Sequence, residues 1–314
     1  MDMGVVELSV IIPSKNNKHH VSDIIKRISA ELSGIEVEFI VIDMNSTDNS
    51  VIWALEEIKR SDLRGCVIQS GGGSICSALN TGIYKSDGRY ITFVYPSRQY
   101  KNYFQDYLST ADDCAADFVF ALPPAQGAAQ KTALSGSVSP SKLLELLINS
   151  RVSIDFTAVM LKREYILRNH IKFYEDCSYG YAEAFIYNVL LYDPKTACSD
   201  IRLERCEDSP VARETAPGNV NCYERIDAML KVYENIKLQR KDNIALTELF
   251  EGQKLPSVIM SVVDILLKQG FSYSAIKRSF KQKGYSELLR PTGRTSPELR
   301  RKLLQWKLLP WTYK

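Results

Sequence analysis

Runs of apolar residues and stretches with helical spacing alternate along the first part of the chain. The apolar runs predict β-strands over residues 7–13, 36–43, 65–70 and 89–96. Between these strands, apolar positions recur every three or four residues, which predicts helices over residues 21–32, 50–60 and 74–86. Near-continuous apolar strands separated by helices are typical of a parallel sheet covered on both faces. The sequence therefore predicts an α/β domain with a Rossmann-like, mainly parallel central sheet.

The rest of the chain divides into a mixed part and a helical part. The mixed part predicts a helix and a strand within 102–123, a loop over 123–140, helices at 141–150 and 182–192, and a strand followed by a turn of helix within 156–167. The helical part predicts helices at 222–240, 243–252, 256–269, 272–283 and 296–307. Residues 200–221 are polar and rich in turn residues, so we predict two domains, 1–205 and an all-α domain 206–314.

The predicted strands place their carboxyl ends along one edge of the sheet. In such sheets ligands bind beyond the carboxyl ends of the strands, near the point where the strand order reverses. The segments that follow Ile12, Ile42, Ile68 and Val94 should therefore share one crevice. The second strand ends on a carboxylate, Asp43, and small polar residues follow it.

Composition and charge limit the classes of function that the chain can have. The chain has 314 residues and a net charge of +3, which is too small to indicate a nucleic-acid partner. Seven dispersed cysteines with no C-x-x-C pair favour reduced thiols in a cytoplasmic protein. No signal peptide is evident, and no uncharged apolar stretch of about 18 residues predicts a transmembrane helix.

Four segments carry a resemblance to a known family: LSVIIPSKNN, EFIVIDMNSTDNS, SICSALNTGIYKSDGRYITFV and IKFYEDCSYGYAEAFIYNVLL. In this order they resemble the family 2 glycosyltransferases, whose pattern is roughly V-S-V-I-I-P-x-Y-N-E, V-V-D-D-G-S-T-D, A-R-N-x-G-I and G-x-Y-I-x-F-L-D-x-D. The resemblance extends from Leu8 to Leu191 and leaves the helical part out. It implies a GT-A fold that binds a nucleotide-sugar donor.

The resemblance also implies donor-binding residues. In the family, the aspartate that ends the second strand accepts a hydrogen bond from the uracil of the donor, and Asp43 matches it; the alternative is that Asp43 only begins a helix cap. Pro13 and Gly82 are equally explained as residues that set the local shape. The predicted donor-binding residues are Pro13, Ser14, Lys15, Asn16, Asp43, Asn45, Ser46, Asn80, Tyr95 and Ser97.

Several family positions differ in this chain. The metal motif D-x-D falls on Tyr95-Pro96-Ser97, which contains no carboxylate, so no metal ligand is predicted although Mn²⁺ or Mg²⁺ is usual in the family. The E-D pair that carries the general base falls on Tyr181-Ala182, and Glu183 is the nearest acid. A slip in this match would make Glu175 or Asp176 the base.

Three interpretations follow. In the first, the chain is a transferase that moves a sugar from a nucleotide donor to a glycan, polysaccharide or lipid-linked precursor, with Glu183, Asp176 and Arg98 as candidate catalytic residues. Arg98 or Lys15 would then supply positive charge in place of a metal, unless both are solvated surface charges. In the second, the chain is a catalytically inactive GT-A protein that binds a nucleotide, a sugar or a partner enzyme. In the third, the match to the family is shifted along the chain, and Glu175, Asp176 or Glu183 serves as the base. A homo-oligomer is also open.

The last part of the chain is basic. Residues 268–314 contain twelve Lys or Arg and two acids, and Leu and Trp residues are interleaved with the bases near the end. This tail would contact the inner face of a membrane, where a lipid-linked acceptor sits. The alternative, which the sequence favours, is that Trp306 and its apolar neighbours pack back on the protein.

Overall fold

The computed structural model describes residues 5–71, 73–123, 134–206 and 221–309. The strands are β1 Leu8–Ser14, β2 Val37–Asp43, β3 Arg64–Gln69, β4 Tyr90–Phe93, β5 Tyr100–Lys101, β6 Phe118–Phe120, β7 Gly136–Val138, β8 Val159–Lys162, β9 Thr196–Cys198 and β10 Glu204–Arg205. The α-helices are α1 Lys18–Glu31, α2 Ser50–Arg60, α3 Ile75–Lys85, α4 Phe104–Asp113, α5 Pro140–Ile148, α6 Arg163–Arg168, α7 Tyr181–Leu190, α8 Tyr223–Gln239, α9 Ile244–Leu249, α10 Leu255–Lys268, α11 Tyr273–Gln282 and α12 Pro297–Leu308. Short 3-10 helices span Phe156–Ala158 and Tyr285–Leu289, and a π-helix spans Phe250–Lys254.

The chain divides into two compact units. The first comprises Met1–Leu143, Arg151–Asp176 and Tyr192–Ala212, and the second comprises Leu144–Ser150, Cys177–Leu191 and Arg213–Lys314. Helix α7 thus groups with the C-terminal helices. The predicted domains 1–205 and 206–314 stay a prediction, and most of the segment that was predicted to join them, residues 207–220, lies outside the described residues.

The first unit contains an eight-stranded sheet in the order β3-β2-β1-β4-β8-β6-β9-β7. Strands β3, β2, β1 and β4 are parallel, β8 runs antiparallel to β4 and β6, and β6 is parallel to β9. The strand order reverses between β1 and β4, so the carboxyl ends of β1, β2 and β4 meet at one edge. The predicted α/β class with a helical C-terminal part is confirmed.

The core explains why the apolar runs form strands. Every residue of β1 and β2 is buried, because helices cover both faces of these strands. Helix α3 packs on β1 so closely that a Cβ added at Gly82 would lie 2.4 Å from Ile11 Cγ2. This contact accounts for Gly82 without any role in binding.

Other features were missed by the sequence pattern. The short strands β5, β7 and β10 have too few residues to show periodicity. Strand β7 lies inside the loop predicted over 123–140, of which residues 124–133 lie outside the described part of the chain.

The second unit is helical, and its π-helix has a local cause. Pro256 has no N–H to donate to the carbonyl of Gly252, four residues earlier, so the helical pattern is interrupted there. The Thr295 hydroxyl donates to that carbonyl oxygen at 2.6 Å instead. The irregular turn ends at Lys254, a cation whose side chain is 8% exposed.

The basic tail packs one of its faces into this unit. Leu303 and Trp306 of α12 are buried, and the Trp306 ring lies 5.9 Å from the Tyr273 ring. Leu304 and Leu308 remain exposed. None of the described helices is long and apolar enough to cross a membrane.

Candidate functional site

The loops that follow β1 and β2 are hydrogen-bonded to each other. The Asn16 backbone N–H donates to Ser46 Oγ at 2.9 Å, and the Thr47 N–H donates to Asn16 Oδ1 at 2.8 Å. Asn16 and Asn45 have φ angles of 55° and 60°, a left-handed conformation that asparagine tolerates better than most residues. The two strand ends therefore form one preorganised polar rim.

Asp43 lies at the floor of this rim. It pairs in register with Ser14 of β1, and the two residues are 2% and 1% exposed. Asp43 Oδ2 accepts a hydrogen bond from the Ser46 N–H at 3.2 Å. Within the part of the chain that the structure describes, Asp43 Oδ1 and Ser14 Oγ have no hydrogen-bond partner. Buried polar atoms almost always have partners, so these two atoms indicate a polar ligand.

Asn80, another predicted donor-binding residue, is hydrogen-bonded to the segment around Phe173. Its Oδ1 accepts from the Phe173 N–H at 2.9 Å, and its Nδ2 donates to the Phe173 carbonyl at 3.1 Å and to Glu175 Oε1 at 3.1 Å. This contact fixes the segment that carries Glu175 and Asp176, both of which are exposed.

The segment at the position of the metal motif is a tight turn after β4. The Arg98 N–H donates to the Tyr95 carbonyl at 3.1 Å, and Gln99 Nε2 donates to the Pro96 carbonyl at 2.9 Å. The Tyr95 ring packs edge-on against Phe156 at 6.2 Å. A phenol, a proline and the exposed Ser97 are a poor donor set for Mn²⁺ or Mg²⁺, which prefer carboxylate oxygens. Across the described residues, no three His, Cys, Asp or Glu side chains are grouped for a metal ion.

Asp155 is the site residue that the sequence missed. Its side chain is 4% exposed, and its Oδ2 accepts from Arg98 Nη2 at 2.6 Å and from the Tyr100 hydroxyl at 2.6 Å. Its Oδ1 accepts from the Thr157 N–H at 3.1 Å. Burial and the hydrogen bond to Asp155 raise the pKa of Tyr100, so the phenol remains a donor. Asp155 is 57 residues from Arg98, so only the fold brings the pair together.

Glu183 belongs to the second unit and is held by two cations. Its Oε1 accepts from Lys254 Nζ at 2.6 Å, and its Oε2 accepts from Arg225 Nε at 3.0 Å. Burial alone would raise the pKa of Glu183, but the attraction of Lys254 and Arg225 lowers it to about 2. A carboxylate with such a low pKa is a weak proton acceptor near neutral pH. Its surroundings thus count against the predicted role as general base.

The remaining predicted residues fall at the same sheet edge. Pro13 is buried in β1, whereas Lys15, Asn45 and Ser97 are exposed and Tyr95 is partly buried. The structure thus brings the residues that follow β1 and β2 together around Asp43, and it places Tyr95, Ser97 and Arg98 after β4, the other neighbour of β1.

The fold is of the GT-A type that the sequence predicts. Residues 9–94 match the model of the family described as Glycosyl transferase family 2, so the predicted family resemblance is confirmed. The match ends at residue 94, directly before Tyr95-Pro96-Ser97, so the loss of the metal motif there stays a prediction.

One curated protein and two solved structures are among the proteins to which this chain is similar. The minor teichoic acid biosynthesis protein GgaB of Bacillus subtilis (strain 168) is 24% identical over 232 residues, which are 69% of this chain and 25% of GgaB. The chain thus spans about a quarter of the length of that relative. TarS 1–349 of S. aureus, in complex with UDP-GlcNAc, has a TM-score of 0.62 at 15% identity and covers 96% of this chain and 87% of its own. The mannosyltransferase PcManGT of Pyrobaculum calidifontis, in complex with GDP-Man and Mn²⁺, has a TM-score of 0.55 at 13% identity, with 96% and 84% covered. These structures support the GT-A fold.

Proposed function

We propose that the chain is a glycosyltransferase that moves a sugar from a nucleotide-sugar donor to a glycan or polysaccharide precursor. One observation carries the proposal. Asp43 Oδ1 and Ser14 Oγ are buried and lack partners among the described residues, at the sheet edge where α/β proteins bind nucleotides. A carboxylate there accepts a hydrogen bond from the N3–H of a uracil. The relation to GgaB suggests an acceptor of the teichoic-acid type.

The reaction requires two groups from the protein. The bond between the anomeric carbon and the β-phosphate oxygen breaks, and its electron pair leaves with the nucleoside diphosphate. The acceptor oxygen bonds to the anomeric carbon, and its proton passes to a carboxylate base. We assign the base to Asp176, which is exposed, because Glu183 is ion-paired with Lys254 and Arg225.

Calorimetry with UDP, GDP, CDP and dTDP tests the proposal. We expect UDP to bind and CDP not to bind, because Asp43 is placed to accept from N3–H, which cytosine lacks. Thymine also has an N3–H, so dTDP should bind only if the pocket admits its 5-methyl group. Asp43→Ala should weaken UDP binding by about 100-fold, since a hydrogen bond to a charged group is worth roughly 1.5–3 kcal/mol. Asp87→Ala is a matched control, because Asp87 lies at the amino end of β4 and pairs with Arg64. If none of the four nucleotides binds, or if Asp43→Ala binds normally, the proposal is wrong.

Turnover distinguishes a transferase from a nucleotide-binding scaffold. With UDP-GlcNAc as a trial donor, we expect release of UDP, and Asp176→Asn should reduce the rate at least 100-fold with little change in UDP affinity. A variant that retains full turnover would contradict the assignment of Asp176.

The tail is proposed to stabilise the second unit, and its exposed leucines offer at most a peripheral membrane contact. Trp306 is 3% exposed, so truncation at Pro297 should lower the melting temperature and leave binding to anionic liposomes unchanged. Loss of liposome binding with an unchanged melting temperature would instead favour the membrane contact.

A further inference from the structure

The turn at Tyr95–Arg98 contains the family's metal position without its carboxylates, and it contains a cation instead. Arg98 is 51% exposed, and in the described part of the chain its guanidinium has one ion-pair partner, Asp155. A guanidinium has five N–H donors, so this contact leaves donors for another anion. Its planar fork fits phosphate oxygens in bidentate geometry.

Asp155 fixes this arginine. The carboxylate is 4% exposed and is anchored on two sides, by the Tyr100 hydroxyl and by the backbone N–H and hydroxyl of Thr157. Because these partners hold Asp155 in place, Arg98 is tethered by its Nη2 atom at 2.6 Å rather than left as a freely rotating surface side chain. Such preorganisation is what an electrostatic site needs.

The strand order places Arg98 at the edge of the sheet where the predicted donor-binding residues lie. Strand β4 pairs in parallel with β1, and β1 pairs in parallel with β2, so the turn after β4 lies at the same edge as Ser14 and Asp43. We infer that this protein binds the diphosphate of its donor through Arg98, oriented by Asp155, without a divalent cation. This inference rests on the proposed function and adds to it the group that stabilises the leaving diphosphate.

The step balances without a metal. As the bond from the anomeric carbon to the β-phosphate oxygen breaks, the electron pair stays on that oxygen. The guanidinium is always protonated, so its charge and N–H donors stabilise the negative charge that develops there without a proton transfer. Arg98 is thus inferred to contact the leaving group, whereas Asp155 is a positioning residue.

The experiment compares UDP with uridine, which has the same base and no phosphate. Arg98→Gln should weaken UDP binding by roughly 10- to 100-fold, the loss of one or two charge-assisted hydrogen bonds, and leave uridine binding, measured by saturation-transfer NMR, unchanged. Asp155→Asn should weaken UDP binding less, by roughly 5-fold, and again spare uridine. Arg89→Gln is the matched control, because Arg89 is also half exposed and ion-paired but precedes β4 at its amino end. It should change neither affinity.

A metal titration completes the test. In the wild-type protein, UDP affinity in EDTA and in Mn²⁺ should agree within about 3-fold, because the N–H donors of Arg98 contact the diphosphate and no metal ligand is required there. If UDP binds only with Mn²⁺, or if Arg98→Gln binds UDP normally, the inference is overturned while the proposed function stands. If Arg98→Gln weakens UDP and uridine equally, Arg98 holds the fold and not the diphosphate, which also overturns it. A wild-type protein that binds neither ligand overturns the proposed function and this inference together.

Should Asp155→Asn fail to fold, Arg98→Lys serves as the second variant. Lysine keeps the charge but loses the planar fork, so UDP binding should fall by roughly 5- to 10-fold and uridine binding should not change. Full UDP affinity in Arg98→Lys would show that a point charge suffices, and would contradict the bidentate contact inferred for Arg98.

Discussion

Asp43 and Glu183 are both carboxylates that the sequence selected, and the structure surrounds them differently. Asp43 Oδ2 has one backbone donor, and its Oδ1 has no partner within the described residues. Both oxygens of Glu183 are paired, one with Lys254 and one with Arg225. A saturated carboxylate holds its own structure together, whereas a buried oxygen without a partner has a hydrogen bond to offer a ligand.

A related contrast is found between one site in each unit. In the first unit, Asp43 Oδ1 and Ser14 Oγ lie without partners among the described residues at the carboxyl ends of β1 and β2, although Glu31 Oε2 at the end of α1 also lacks a hydrogen-bond partner. In the second unit, the π-helix and Pro256 deliver Lys254 to a carboxylate, so an irregular turn serves an internal ion pair. Irregularity alone therefore does not mark a binding site here.

The largest expected effect on stability comes from removing the negative charge of Glu183. Glu183→Gln should reduce the free energy of unfolding by about 3 kcal/mol, because it leaves two partly buried cations without their counter-charge. Thermal and urea unfolding measure this loss. Glu287→Gln is the control: Glu287 also pairs with an arginine, Arg290, but is 69% exposed, so the change should stay within about 0.5 kcal/mol.

Two other outcomes would contradict a structural role for the ion pairs of Glu183. If Glu183→Gln unfolds like the wild type and abolishes sugar transfer, Glu183 is the general base after all and its ion pairs are not structural. If both stability and transfer are unchanged, the ion pairs contribute nothing measurable.

Lowering the pH should reduce the stability of the protein, because Glu183 becomes protonated. The pKa of Glu183 is lowered from 4.5 to about 2 by Lys254 and Arg225, so its contribution to stability is present above pH 4.5 and is lost as the pH falls toward 2. Between pH 5 and pH 3 the wild type should lose about 2 kcal/mol more than Glu183→Gln. Parallel stability curves for the two proteins would show that the pKa of Glu183 is not lowered.

The sequence predicted the parts of this fold that repeat locally. Strands β1 and β2 are buried along their whole length, so nearly every residue is apolar and the run is visible. It also singled out Asp43, because a carboxylate at the end of such a run is unusual. Strands of two or three residues such as β5 and β7 have no visible period.

Contacts between distant segments could not be predicted from local pattern. The Arg98–Asp155 pair, the Asn80 brace on Phe173 and the cations around Glu183 all join residues that only the fold brings together. Asn80 illustrates the limit: the family resemblance marked it as important, and its hydrogen bonds in this structure are those of a brace. Its role in donor binding stays a prediction.

A smaller effect is expected when Asp43, whose Oδ1 has no partner among the described residues, loses its charge. Asp43→Asn should leave the ligand-free protein as stable as the wild type or more stable by about 1 kcal/mol, because it replaces a buried charged group that lacks a partner on one oxygen. The rise in melting temperature that UDP causes in the wild type should largely disappear. Destabilisation of the ligand-free variant would mean that Asp43 holds the Ser46 loop and is not poised for a ligand.

Ser14→Ala should have the smallest effect, and it tests separately whether the Ser14 hydroxyl contacts the nucleotide. The Ser14 hydroxyl is 1% exposed and has no partner among the described residues, so its removal should change the free energy of unfolding by no more than about 0.5 kcal/mol. If the hydroxyl meets the nucleotide, UDP affinity should fall about 5-fold, the value of one neutral hydrogen bond. Ser9→Ala is the contrast in the same strand: the Ser9 hydroxyl already donates to Glu38 Oε1 at 2.5 Å, so that change should cost about 1 kcal/mol of stability and leave UDP affinity intact. If both serines behave alike, the missing partners at the end of β1 do not distinguish a binding site from ordinary buried polar groups.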